Sequence, residues 1–181
     1  MTFESADSRE ALAQQIADAA VLRGTFTLRS GQTSSYYIDK YRLTTDPKLL
    51  ERIAAALAMA LPPSIDRLAG TALGAVPLAT AVSLATGLPC VFVRVDAAKD
   101  HGTSKSIEGR LEPMDRVALI EDVVTTGGAS LTAVELLQAA GAQIAGVLAV
   151  VDREQGGRER FVEAGIPFRA LFTVTELGIS E

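Results

Sequence analysis

Apolar positions along the chain alternate between helical spacing and short continuous runs. Apolar residues three and four positions apart are typical of helices that bury one face, and short apolar runs are typical of buried strands. We therefore predict helices over residues 7–22, 47–60, 77–86, about 129 onward, 157–164 and, as a short closing helix, 176–179. We predict strands over residues 67–71, 89–95, 117–120, 144–151 and 168–172. A further segment, 26–39, carries β-favouring residues on both sides of Gly31 and is expected to form a hairpin.

The alternation of strands with helices of about 10 to 15 residues is typical of right-handed βαβ units. The sequence therefore predicts an α/β fold with a central, mostly parallel sheet flanked by helices. At 181 residues the chain has the length of a single domain. Ligands of such sheets bind beyond the carboxyl ends of the strands, and we expect the functional residues there.

Composition narrows the classes of function. The chain has 17 Lys and Arg against 22 Asp and Glu, a net charge of −5, which argues against a general nucleic-acid-binding surface. No run of about 18 apolar residues predicts a membrane span, and the N-terminus lacks the apolar run of a signal peptide. We therefore predict a cytoplasmic protein with neither nucleic acid nor membrane as partner. The single histidine excludes a metal site built from several histidines.

The segment 117–130 carries the strongest functional signal. Glu121 and Asp122 follow the apolar run, and residues 125–128, two threonines and two glycines, lead into a helix. Backbone N–H groups at a helix N-terminus bind phosphate, and the acids can accept hydrogen bonds from sugar hydroxyls. The pattern matches neither a nucleoside-triphosphate P-loop nor a dinucleotide fingerprint, and it favours a phosphorylated sugar. An ordinary strand, turn and helix without a ligand is the alternative.

A polar segment, residues 96–110, follows the strand that includes Arg94. It contains Lys99 and His101 beside a glycine and lacks apolar periodicity. Cationic donors on a mobile loop suit a pyrophosphate leaving group, because they can neutralise charge on the departing oxygen. A solvated surface loop is the alternative interpretation.

Two further segments carry candidate chemistry for an anionic, flat ligand. Arg29 and Tyr37 lie on the predicted hairpin and could bind such a ligand by charge and stacking. A surface hairpin whose tyrosines are core or dimer contacts is the alternative, which the segment in isolation favours. Arg153 follows an apolar strand, and an arginine there can grip a carboxylate at two points. The alternative for Arg153 is an ion pair with Asp152 or Glu154.

Taken together, these segments resemble orotate phosphoribosyltransferases, which are type I phosphoribosyltransferases. The resemblance runs from residue 26 to the C-terminus, with the motifs in the family's order. It implies a type I phosphoribosyltransferase-like fold for 1–181, with an N-terminal hood of helix and hairpin over about residues 1–45 and a flexible catalytic loop. The motifs that carry it are 26–31, 70–77, 99–103, 121–129 and 151–153.

The resemblance implies a reaction and a role for each candidate residue. Phosphoribosyl pyrophosphate and orotate would give orotidine 5-phosphate and pyrophosphate, a step of pyrimidine biosynthesis. Lys99 and His101 would be catalytic and close over the pyrophosphate. The residues implied for orotate are Tyr37, Thr125 and Arg153. The residues implied for phosphoribosyl pyrophosphate are Arg29, Arg94, Lys99, His101, Glu121, Asp122, Val123, Val124, Thr125, Thr126, Gly127, Gly128 and Ala129.

The resemblance also implies a cofactor and a partner. Mg²⁺ would be held mainly through the substrate, bridging ribose hydroxyls and pyrophosphate. A homodimer is implied, in which loop 96–110 reaches the neighbouring site. Arg94 is followed by Val95 where family members usually carry a second cation. A weak or inactive regulator that binds phosphoribosyl pyrophosphate, and a phosphoribosyltransferase for another base, therefore remain as alternatives.

Overall fold

A computed structural model describes residues 6–27, 31, 33–95 and 105–179. The N-terminal part is helix α1, Ala6–Ala20, followed by strands β1, Val21–Thr27, and β2, Thr33–Ile38. The two strands pair antiparallel, which confirms the hairpin, but β1 begins at Val21 opposite Ile38 rather than at Phe26. This pairing draws the chain into an extended conformation at Val21, so the prediction that α1 continues to residue 22 was wrong.

The remaining described elements alternate as the apolar pattern predicts. The helix α3 begins where Asp46 accepts hydrogen bonds from the backbone N–H groups of Lys48 and Leu49, with Pro47 in the first turn. The short helix α2 was not predicted. The elements are α2 Arg42–Thr45, α3 Pro47–Ala60, β3 Arg67–Thr71, α4 Val76–Thr86, β4 Cys90–Val93, β5 Ile107–Glu108, β6 Arg116–Val124, α5 Gly128–Ala139, β7 Gln143–Asp152, α6 Gly157–Glu163 and β8 Phe168–Thr173.

The central sheet has six described strands in the order β5-β4-β3-β6-β7-β8. All neighbours pair parallel except β5, which runs antiparallel to β4 at the edge. The mostly parallel sheet is thereby confirmed. Successive side chains of a strand point to opposite faces, and accordingly Leu119 and Ile120 of β6 belong to two different apolar clusters. The cluster that contains Leu119 also contains Leu137 of α5, and the cluster that contains Ile120 also contains Leu57 of α3.

Three sequence-based boundaries differ from the structure. Strand β6 does not end at residue 120 but continues through both acids to Val124, which pairs with Asp152 of β7. The predicted closing helix over 176–179 is wrong, because 174–178 forms hydrogen-bonded turns and Gly178 takes a φ of 70°. The polar segment 96–110 is not all loop, since β5 lies within its described part.

Candidate functional site

A cleft of about 370 Å³ opens at the carboxyl ends of β3 and β6. One wall is the loop after β3, residues 71–74, and another is the end of β6 with the turn into α5, residues 121–130. Lys40 and Tyr41, from the segment after β2, close a third side. The structure thus brings the whole candidate motif 121–129 to one cleft, at the sheet edge where parallel α/β folds bind their ligands.

Glu121 and Asp122 place two buried carboxylates side by side in this cleft. The Glu121 carboxylate accepts hydrogen bonds from the Ser130 hydroxyl at 2.8 Å and from the Asp122 backbone N–H at 3.3 Å. The Asp122 carboxylate accepts a hydrogen bond from the backbone N–H of Val123 at 2.6 Å. Burial, and then the charge of Asp122, raise the pKa of Glu121 to about 7.

Replacing Glu121 with glutamine is expected to remove a pH-dependent loss of stability. The pKa of Glu121 rises from 4.5 to about 7 on folding, so the folded state holds the proton more tightly. The resulting stabilisation is fully present below pH 4.5 and is lost as the pH rises through 7. A shift of this size corresponds to about 3 kcal/mol. Urea unfolding of the ligand-free protein at pH 5 and pH 8 measures it.

The control for this prediction is Glu135→Gln, which removes the same charge from an exposed position on α5. We expect the Glu121→Gln protein to lose less stability than the original protein between the two pH values, and the control to follow the original. Equal losses in all three proteins would contradict the proposed origin of the Glu121 shift.

The turn between β6 and α5 leaves backbone donors free for an anion. Gly127 precedes α5 with a φ of 73°, a conformation that favours glycine, and no side chain caps the helix. The first N–H groups of α5 therefore point toward the cleft without a side-chain partner, where the helix dipole favours negative charge. The turn is held from behind by Arg160, which donates a hydrogen bond to the Thr126 carbonyl at 2.9 Å. A Cβ at Gly157 would lie 2.6 Å from the Thr125 carbonyl, so α6 supports the turn at close range.

Lys40 is a cleft residue that the sequence analysis missed. Its ammonium lies 3.0 Å from Asp122 Oδ2 and 5.7 Å from the centroid of the Tyr41 ring. Partial burial opposes its charge, but Asp122 and Glu121 together raise the pKa of Lys40 above its ordinary value. The hairpin brings Lys40 to β6 from a distant part of the sequence, and no local pattern signals this contact.

Arg153 is held beside the site and has no ionic partner among the residues that the structure describes. Its guanidinium lies 5.0 Å from the centroid of the Tyr36 ring, and its Nε and Nη2 atoms are buried with no hydrogen-bond partner in the described part of the chain. The ion pairs considered as the alternative are not seen, because Asp152 pairs with Arg158 at 3.1 Å and Glu154 accepts hydrogen bonds from Thr175. Two buried guanidinium nitrogen atoms with no partner among the described residues are suited to an anionic ligand.

The remaining candidate residues that the structure describes lie outside the cleft wall. Tyr37 lies on the face of β2 opposite Tyr36, is partly exposed and packs against Phe26 with a centroid distance of 5.7 Å. Arg94 lies 3.7 Å from Glu108 and is absent from the cleft wall, whereas Val95 lines it. The candidates outside the described residues are Arg29, Lys99 and His101.

No group of three or more His, Cys, Asp or Glu side chains among residues 6–27, 31, 33–95 and 105–179 is placed to hold a metal ion. None of the helices in this part of the chain is long and apolar enough to cross a membrane.

Known proteins resemble this chain in both sequence and structure. Residues 43–163 match the phosphoribosyl transferase domain family. An orotate phosphoribosyltransferase of Pyrococcus abyssi is 43% identical over 173 residues, covering 93% of this chain and 94% of that protein. One from Halobacterium salinarum is 47% identical over 158 residues, covering 87% and 89%. The Mycobacterium tuberculosis orotate phosphoribosyltransferase, solved with 5-phospho-alpha-D-ribosyl 1-diphosphate, is 33% identical with a TM-score of 0.80, covering 94% of this chain and 99% of that one.

Proposed function

We propose which residues of the cleft carry out phosphoribosyl transfer, on the premise that the chain belongs to the orotate phosphoribosyltransferase family. The protein is an enzyme of the glycosyltransferase class, and its substrates are phosphoribosyl pyrophosphate and orotate. The observation that carries the assignment of the cleft is the joint wall of two buried carboxylates and an uncapped helix N-terminus. A ribose with a phosphate at one end requires this combination of acceptors and donors.

The phosphoribosyl group would lie across residues 121–129. Glu121 and Asp122 would accept hydrogen bonds from the ribose hydroxyls, and the backbone of 123–129 would hold the 5-phosphate. The support is geometric, because both parts line one cleft and the turn is fixed from behind by Arg160. The pyrophosphate would lie against loop 71–74, on the opposite wall. Lys99, His101 and Arg94 are proposed to approach it from the loop after β4.

Orotate would be held by Arg153, with Thr125 and Tyr37 at the base site. The Arg153 guanidinium has two buried nitrogen atoms that need acceptors, and a carboxylate supplies two oxygens in a matching plane. The Arg153 backbone N–H donates to the Val124 carbonyl at 2.8 Å, so Arg153 lies beside the end of β6 that carries the acids. Tyr36 stacks on the guanidinium and would orient it.

The cleft also fits the Mg²⁺ requirement that we propose. Mg²⁺ binds oxygen, and in nucleotide and phosphate sites it is held by one or two carboxylates together with substrate oxygens. Glu121 and Asp122 provide such carboxylates at the proposed ribose position. Bound Mg²⁺ would neutralise charge on the pyrophosphate. The residues of this chain would hold the sugar and base in register for the transfer.

We further propose a cytoplasmic homodimer in which loop 96–110 enters the partner's site. Leu73, which lines the cleft, has an exposed apolar side chain that a partner subunit at the cleft would cover.

The assay for the function mixes purified protein with Mg²⁺, phosphoribosyl pyrophosphate and orotate, and follows the loss of orotate absorbance. We expect turnover that depends on all three components and releases pyrophosphate. Turnover with a purine base but none with orotate would contradict the proposed base site. Binding of phosphoribosyl pyrophosphate without turnover of any base would instead identify a regulator.

A further inference from the structure

Lys40 is the one cationic side chain in the cleft wall among the residues that the structure describes. It comes from the end of the hairpin, whereas its partner Asp122 lies on the central strand. The side chain of Asp122 is almost completely buried, and that of Lys40 retains 39% of its exposure. One partner is therefore fixed in the protein interior and the other has room to move.

The contact lies between the two walls of the cleft. A Cβ on Gly74 would fall 1.7 Å from Asp122 Oδ2 and 2.9 Å from Lys40 Nζ. The pair therefore abuts the backbone of loop 71–74, to which the proposed function assigns the pyrophosphate. A lysine stem has four flexible carbons, so the ammonium can exchange Asp122 for a neighbouring anion with little backbone movement.

We propose that Lys40 is an internal counter-ion that makes the site select sugars bearing a pyrophosphate. The inference rests on the proposed function, in which Asp122 accepts hydrogen bonds from ribose hydroxyls. A ribosyl ligand must then compete with the Lys40 ammonium for Asp122. Ribose 5-phosphate offers the displaced ammonium no new partner near loop 71–74, whereas phosphoribosyl pyrophosphate offers a diphosphate.

The alternative is that Lys40 merely balances the buried acids and builds the empty site. The two explanations predict opposite effects of Lys40 on the affinity for ribose 5-phosphate. As a counter-ion that ligands displace, Lys40 weakens the binding of ribose 5-phosphate and strengthens that of phosphoribosyl pyrophosphate. As a purely structural partner of Asp122, it would support both ligands equally.

Isothermal titration of the full-length protein with Mg²⁺ tests the proposal, using phosphoribosyl pyrophosphate, inorganic pyrophosphate and ribose 5-phosphate as probes. For Lys40→Met we expect the affinity for the two pyrophosphate ligands to fall about tenfold or more, the loss typical of one charge-assisted contact. The affinity for ribose 5-phosphate should increase, because the ligand no longer competes with the ammonium for Asp122. Lys40→Arg keeps the charge and should fall between the two proteins.

Lys48→Met is the matched control, because Lys48 is exposed on α3 and lies outside the cleft wall. It should bind all three probes as the original protein does. Equal weakening of all three ligands in Lys40→Met, or no change in any, would overturn the counter-ion proposal. Failure of the original protein to bind phosphoribosyl pyrophosphate would overturn the proposed function itself. Thermal melting checks that each variant is folded, and Lys40→Arg keeps the test open if the methionine variant is not.

Discussion

The Arg153→Met enzyme is expected to lose about thirtyfold or more in kcat/KM for orotate, while the empty protein becomes more stable. Removing one partner of a buried, hydrogen-bonded charge pair costs about 2–5 kcal/mol of binding, and 1.4 kcal/mol corresponds to a factor of ten. The loss should appear mainly as a higher KM for orotate, because Arg153 is proposed to touch the base and not the sugar. The KM for phosphoribosyl pyrophosphate should change little.

The gain in stability has a separate physical cause. Two guanidinium nitrogen atoms of Arg153 are buried with no hydrogen-bond partner among the described residues, and an unsatisfied buried polar group costs about 1–3 kcal/mol. Methionine is of similar length and keeps an apolar contact with the Tyr36 ring, on which the guanidinium now stacks. We therefore expect urea unfolding without ligand to show a higher free energy of unfolding for Arg153→Met.

Arg158→Met is the matched control for this pair of effects. Arg158 donates to the buried carboxylate of Asp152, so its removal leaves a buried charge with fewer partners and should lower stability. The KM for orotate should not rise with it, because Arg158 lies outside the proposed base site. Steady-state kinetics and urea unfolding on the three proteins separate the outcomes. An unchanged KM for orotate in Arg153→Met would place the carboxylate grip elsewhere.

The order of elements could be predicted from the sequence because it depends on local periodicity. The apolar run at 117–120 and the acids after it identified the central strand and the sugar-phosphate turn. The end of β6 could not be read in the same way. Its last residues are extended because β7 pairs with them, and Val124 faces Asp152 across the sheet. A boundary set by a neighbouring strand has no local signal.

The site residues also differ in whether the local sequence could identify them. Arg153 was a candidate because it follows an apolar strand, but the sequence left its ion pairs open. The ion pair of Asp152 with Arg158, in the first turn of α6, decides against an Asp152–Arg153 pair. Lys40 was missed because its role depends on where the hairpin docks, and the motif 70–77 gave no sign that Gly74 lies against Asp122. Lys40 contacts Asp122 and Gly74 lies close to it, so the roles of these two residues depend on tertiary contacts that the local sequence does not show.

Gly74→Ala is expected to reduce kcat/KM for phosphoribosyl pyrophosphate about a hundredfold or more. A methyl group at this position would lie 1.7 Å from Asp122 Oδ2, far inside any permitted contact. The Asp122 side chain cannot simply rotate away, because it is buried and its other oxygen accepts the Val123 N–H. Either Asp122 or loop 71–74 must move, and a displacement of about 1 Å in a positioning group can cost a hundredfold in rate.

The same collision should lower the free energy of unfolding by about 1–3 kcal/mol, the usual cost of overpacking. Gly87→Ala separates this general loss from the specific one. Gly87 ends α4 with a φ of 75° and has open space around its Cα, so alanine there adds backbone strain without a collision. We expect the Gly87 variant to be less stable but to keep its kcat/KM for phosphoribosyl pyrophosphate. If Gly74→Ala kept its kcat/KM as well, the close approach of loop 71–74 to Asp122 would have no part in binding the sugar, because a methyl group at Gly74 and the Asp122 carboxylate cannot occupy the same space.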